Sequence, residues 1–141
     1  MFSIKYFEHT ADIGFTVEAD SFPELCRGAA SATFEAMGNL KKVGKKVVKR
    51  VILQNKEYDK LLFEFIEELI FLKDSDYMLF SDFDVIIEEE KTGITLRAEV
   101  KGEKIDAKKH ELKVDVKAIT FHEFYVKQKD KAWEARIILD I

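Results

Sequence analysis

The sequence predicts an α+β fold, a mainly antiparallel sheet carrying two packed helices. Three observations predict it. An alternating run near the start leads straight into a capped helix, a second helix carries one polar stripe on an apolar body, and the second half of the chain is a series of β-prone runs broken by short turns. The chain has one proline and no Gly/Ser tract or internal repeat, so one domain over residues 1–141 is expected.

Residues 10–19 alternate. Ile13, Phe15, Val17 and Ala19 fall on one face, and Asp12, Gly14, Thr16 and Glu18 on the other, as in a half-buried strand. Ser21-Phe22-Pro23-Glu24 then reads as a capping box, with Ser21 as the N-cap and Glu24 three residues on. The helix runs to about residue 37, where Gly38-Asn39 stops it. Its small middle, Ala29-Ala30-Ser31-Ala32, lets it lie close on a sheet. Residues 47–53 form a β-branched run and read as a strand. Asn55 is placed to cap a helix over residues 56–72. Its polar stripe is Lys60, Glu64, Glu67 and Glu68, ending at Phe71, so it is expected to be wrapped on most sides and central. Residues 83–89 and 94–100 flank Glu90-Lys91-Thr92-Gly93, a hairpin turn with glycine where positive φ is expected. A polar loop through His110 precedes strands at 112–118, 120–127 and 133–139, with Lys129-Asp130-Lys131 turning the last pair.

Hydrophobic residues make up 47% and include twelve phenylalanines, enough for a large core without staples. The net charge of -4 argues against a tight, unaided grip on RNA phosphates and suits a basic protein partner or cations. A single cysteine, Cys26, excludes an internal disulfide and fits a reducing compartment. The opening residues do not resemble a signal peptide, and no apolar run approaches about 18 residues, so a cytoplasmic protein without a membrane span is expected. Frequent Lys and Glu with few Asn and Gln lean towards a thermophilic source.

The candidate chemistry begins at His9-Thr10-Ala11-Asp12. Asp12 faces away from the apolar side of its strand, where an exposed aspartate is ordinarily only solvated. The end of the chain adds weight. Asp140 is followed by Ile141 and its carboxylate, and the residues leading to them are apolar and β-prone, as in a docked strand rather than a frayed end. If that strand pairs near Asp12, three anionic groups converge and call for a hard cation with oxygen ligands, calcium above all.

A second run is Lys117-Ala118-Ile119-Thr120-Phe121-His122, where strict alternation puts His122 with Ala118 and Thr120. A lone strand histidine is more often structural than catalytic. His9, His110 and His122 lack zinc spacing, and Cys26 inside a helix reads as a buried, inert thiol. No phosphate-loop, dinucleotide, nucleophile-elbow or zincin motif is present, and nothing assembles a nucleophile, a base and an oxyanion hole.

These residues carry a family resemblance. Glu8-His9-Thr10-Ala11-Asp12-Ile13-Gly14 resembles the archease opening motif, and residues 19–37 resemble the helix that follows it. The 117–122 run, Trp133 and the terminal Ile138-Leu139-Asp140-Ile141 resemble the closing motif. Phe121 stands where the family commonly has tyrosine, and Ala132 where it commonly has glycine. The resemblance implies a strand-helix-strand-strand (SHS2) module with an inserted segment. It implies an accessory protein, not an enzyme, that supports an RtcB-type tRNA-splicing RNA ligase by promoting guanylylation, multiple turnover and broader NTP use. It implies a calcium-type site of Asp12, Asp140 and Ile141. His9, Lys117 and His122 are the partner-facing candidates, and tRNA is met only through the ligase. Two other functions are weighed beside it: a metal-dependent nuclease or hydrolase using Asp12 and Asp140, and a general chaperone. For the nuclease, His9 as base is three residues from Asp12, which along one strand puts the two on opposite faces.

Overall fold

In chain order the elements are β1 (Phe2–His9), β2 (Asp12–Ala19), α1 (Phe22–Glu35), a 3-10 turn (Leu40–Lys42), β3 (Val47–Asn55), α2 (Tyr58–Asp76), β4 (Met78–Glu90), β5 (Gly93–Lys104), a short α3 (Ala107–His110), β6 (Ala118–Lys129) and β7 (Ala132–Asp140). This computed structural model spans residues 1–141; Thr10 and the side chains of Glu8 and His9 lie outside the described residues.

The expected α+β class holds, with two sheets where one was expected. One has the order β1-β2-β7-β6 and the other β3-β5-β4. All the strand pairings are antiparallel. Both long helices touch both sheets: α1 meets β1, β2 and β7 on one side and β4 on the other, while α2 meets β6 and the β3-β5-β4 sheet. The core therefore forms where the helix pair meets each sheet. Phe15, Phe34, Phe65 and Phe80 are fully enclosed there, each contributing roughly 2–3 kcal/mol of burial.

Of the expected capping box the Ser21 half is present: its hydroxyl accepts from the Glu24 amide at 3.3 Å, and Pro23 fits the first turn, while the Glu24 carboxylate turns to Arg27 and the N-terminal ammonium. No residue of α1 is exposed, whereas α2 exposes Lys60, Glu67 and Phe71. The central helix is thus α1, not α2: its small alanine run packs on three strands of the first sheet, β1, β2 and β7, whereas α2 meets that sheet at its edge strand β6. Asn55 does not cap α2. It ends β3, accepts from the Glu57 amide at 3.1 Å and donates to Glu64 at 2.6 Å, so α2 starts two residues later than expected. That helix also runs on to Asp76, ending at Tyr77 in the left-handed region.

Strand β1, the 3-10 turn and α3 are the elements the sequence pattern did not predict. The 91–92 turn is the expected hairpin, with Gly93 at φ 145°. Residues 112–117, expected as the start of a strand, belong to no strand. The Lys113 amide donates to the Met37 carbonyl at 2.9 Å, and the buried Lys73 ammonium of α2 donates to the Val116 carbonyl at 2.8 Å and to Asp115 at 2.6 Å. Burial alone would lower the Lys73 pKa; its hydrogen bonds to Asp115 and Asp74 outweigh that and raise it.

His110, expected in a polar loop, is fully buried. Its ring lies 2.8 Å from Glu103, which also accepts from the Gly44 amide at 2.7 Å and from Lys109. Lys109, the Gly44 amide and His110 together hold the Glu103 carboxyl well below the ordinary carboxylate range. A depressed folded-state pKa gives stability that is full above the unfolded pKa and lost as pH falls below it. As pH drops from about 5 to about 3, the parent should lose stability faster than Glu103→Gln. At neutral pH the variant should be less stable by about 2 kcal/mol. Parallel chemical melts check both; identical pH slopes would remove Glu103 as the linked group.

Candidate cation site and partner-facing edge

The sheet register brings the two ends of the sequence together. Asp12 opens β2 and Asp140 closes β7, and they are direct cross-strand partners. One row crosses the sheet: His9 of β1, Asp12 of β2, Asp140 of β7 and Ala118 of β6. Partners across an antiparallel pair have Cβ atoms about 5 Å apart, so the two carboxylates share one edge and one face. Ile141 follows immediately, half-buried against the core, so the end of β7 is docked. The Lys117 amide donates to the Asp140 carbonyl at 2.8 Å, which fixes Lys117 beside the same row.

Asp12 is half-buried and Asp140 exposed. The glycine of the opening motif has a local cause. Gly14 lies under the ring of Phe7, and any Cβ there would overlap it. The same ring meets a charge: the Arg136 guanidinium carbon is 4.0 Å from the Phe7 centroid.

The partner-facing candidates divide. His9 is the register partner of Asp12 on a separate strand, so counting residues along one strand does not apply; its side chain is outside the described residues. Lys117 is exposed at the row. His122 departs from the expected alternation. Strand β6 is irregular between Thr120 and Tyr125, and Glu123 has φ 51°, so residues 121–124 form a bulge without register partners on β7. The His122 side chain is exposed, 3.1 Å from Glu123, which also accepts from Arg136 at 3.0 Å. Phe121, 73% exposed, stacks flat on Phe63 of α2 at 3.9 Å between centroids. A bulge leaves no trace in hydrophobic alternation, and the positive φ at a glutamate has no composition signal.

Among the described residues, no group of three or more His, Cys, Asp or Glu side chains is arranged to hold a metal ion. Cys26 is buried in α1, and burial pushes its thiol up, as expected of an inert cysteine. No helix of the described residues is long and apolar enough to cross a membrane.

Fold and site define a class: an α+β protein of two sheets whose opening and closing sequence motifs meet as one carboxylate-bearing sheet edge. The chain belongs to the archease family. The model described as "Archease protein family (MTH1598/TM1083)" matches residues 4–141. Relatives named Protein archease include one from Pyrococcus abyssi, 41% identical with 97% of each chain covered. Another, from Sulfurisphaera tokodaii, is 38% identical over 100% of both chains. The solution structure of Methanobacterium thermoautotrophicum protein 1598 superimposes with a TM-score of 0.88 at 35% identity, covering 98% of both chains. A crystal structure of a Thermotoga maritima protein described as an archease and possible chaperone shares the fold, with a TM-score of 0.64 at 20% identity and 97% and 96% coverage.

Proposed function

We propose that this chain, as one cytoplasmic domain over residues 1–141, is an accessory protein of an RtcB-type tRNA-splicing RNA ligase. It carries a calcium ion, or another hard divalent cation, on Asp12, Asp140 and main-chain oxygens of Ile141. The observation that carries the reading is the Asp12–Asp140 register pair, which joins the two family motifs at one edge. Family membership supports the ligase partner. The donor set fits a hard cation: two carboxylates and main-chain oxygen, with Cys26 and His110 buried elsewhere. Calcium accepts 6–8 oxygens in loose geometry, so water or the partner can complete a shell that three residues leave open. When bound, the cation would offset the carboxylate repulsion and present a positive charge at the edge. Lys117, held by its own amide, adds a second cation beside it.

The chain's own part is binding and positioning, in support of ligase guanylylation, multiple turnover and broader NTP use. The test is a titration of the cognate ligase. Multiple-turnover guanylylation and RNA joining should rise with added protein and saturate. Lys117→Ala should cut that stimulation about tenfold, a change worth about 1.4 kcal/mol. Its Tm should move by less than about 2 °C, because Lys117 is exposed. Unchanged ligase turnover across the titration overturns the reading. Metal-dependent RNA cleavage by the protein alone, lost in Asp12→Ala, would replace it with a nuclease.

A further inference from the structure

Residues 41–50 hold six Lys and Arg and no acid, in a chain whose net charge is -4. The fold sets this run against a second basic pair. The 3-10 turn and α3 are held together by the Asn39 amide on the His110 carbonyl at 2.9 Å, and by Glu111, which accepts from Asn39 at 3.0 Å and Lys42 at 2.7 Å. Between them is an open cleft of about 460 Å³ lined by Lys41, Lys42, Val43, Gly44, Lys108 and Lys109. Four of the six lining residues are lysines, and none is acidic.

The walls are rigid because the buried Glu103 ties them. It accepts from the Gly44 amide on one side and from Lys109 on the other, with Lys46 3.5 Å away. Glu103, Glu111 and Asp106, the cap of α3, are the acids at this cleft. Against Lys41, Lys42, Lys46, Lys108 and Lys109 they leave the patch positive. Lys41 and Lys108 are exposed.

We propose that this cleft is a binding site for the phosphate backbone of a nucleic acid. Lysines bind phosphate as point charges. A carboxylate-rich peptide is better recognised by bidentate arginine forks, and no arginine lines the cleft. No aromatic side chain lines it either, so bases find no stacking surface and contact is to the backbone, without sequence preference. The cleft is open, which admits a polymer strand. With about three or four phosphates neutralised, binding is weak, and the log of the association constant falls with log salt at a slope of about -2 to -3. The acidic remainder of the surface confines the nucleic acid to this face. The site is independent of the Asp12–Asp140 edge.

The test is fluorescence anisotropy of a labelled 20-nucleotide oligouridylate on the full chain at low salt, with salt titration. Lys41→Glu/Lys108→Glu should lose at least tenfold in affinity, and Lys41→Gln/Lys108→Gln about threefold with a slope nearer zero by about one. Lys127→Glu/Lys129→Glu, the same charge change on the exposed β6–β7 hairpin, should bind within twofold of the parent after allowance for net charge. Circular dichroism melts establish that the variants are folded, and the glutamine pair serves if the glutamate pair is not. Two results overturn the proposal: equal losses in the cleft and hairpin variants, or displacement of the oligonucleotide by an equal charge of polyglutamate, which would make the cleft a seat for an acidic protein.

Discussion

Asp12→Asn, Asp140→Asn and a variant with one residue added after Ile141 should each lower calcium affinity at least tenfold, with the double aspartate variant binding no calcium measurably. Asp12 and Asp140 are register partners, so their Cβ atoms stand about 5 Å apart and two unit charges at that spacing set the scale. Their repulsion ranges from about 1 kcal/mol in bulk-water dielectric to about 3 kcal/mol at a protein surface. A divalent cation converts that repulsion into attraction to both. Removing either carboxylate therefore weakens the metal complex and relieves the apo protein at once. Calcium at about a hundred times its Kd should raise the parent's Tm by roughly 8 °C. The asparagine variants should show little of that rise, and without metal should melt no lower than the parent. Titration calorimetry with parallel thermal melts reads both signs. Equal affinity in parent, Asp12→Asn and the extended chain would remove the site.

Gly102→Ala should cost about 3 kcal/mol or more, the largest loss expected from adding one methyl group anywhere in the fold. Gly102 lies in β5 between Val47 of β3 and Phe80 of β4. A Cβ there would overlap the Leu79 carbonyl oxygen, and the Phe80 Cα would be 2.8 Å away. These are backbone atoms. They cannot turn aside, because Leu79 and Phe80 are enclosed in the core and the β4 register already shifts between Phe80 and Asp82. Gly14→Ala makes the informative contrast. The atoms nearest its Cβ all belong to the Phe7 ring, which can swing at the expense of its contact with Arg136. Urea melts should place Gly102→Ala well below Gly14→Ala. A cost under about 1 kcal/mol at Gly102 would show that the strand pair can open there.

What the sequence revealed and concealed follows from the range of each interaction. The β2 alternation and the Ser21 cap are written in adjacent residues, and both are in the structure. Strand β1 was readable by the same rule, since Phe2, Ile4 and Tyr6 alternate with polar Ser3 and Lys5. The order α1 over α2 in centrality was not readable from polar stripes. It depends on which strands each helix meets, and the division into two sheets is a long-range fact. Residues 112–117 look like a strand because their composition is β-prone, but their partner is the Lys73 ammonium from α2. Glu103 and His110 carry no recognisable spacing, and only the fold makes them a buried pair. At the site, Asp12 and Asp140 were legible as candidates because each motif has its own pattern. Their pairing depends on the register of β2 on β7, and the bulge at residues 121–124 on how β6 meets β7.

The order β1-β2-β7-β6 has a consequence in time. Strand β7 is the last in chain order, yet it lies between β2 and β6. On the ribosome, β2 is made more than a hundred residues before its neighbour, and β6 has no hydrogen-bonded partner until the 132–140 segment emerges. Until then both present unpaired edges, the state in which strands recruit strands from other chains. The half-built sheet is open to misassembly throughout synthesis, and a single late insertion closes both edges. That same insertion delivers Asp140 to Asp12, so the candidate cation edge comes into being at the moment the sheet becomes whole.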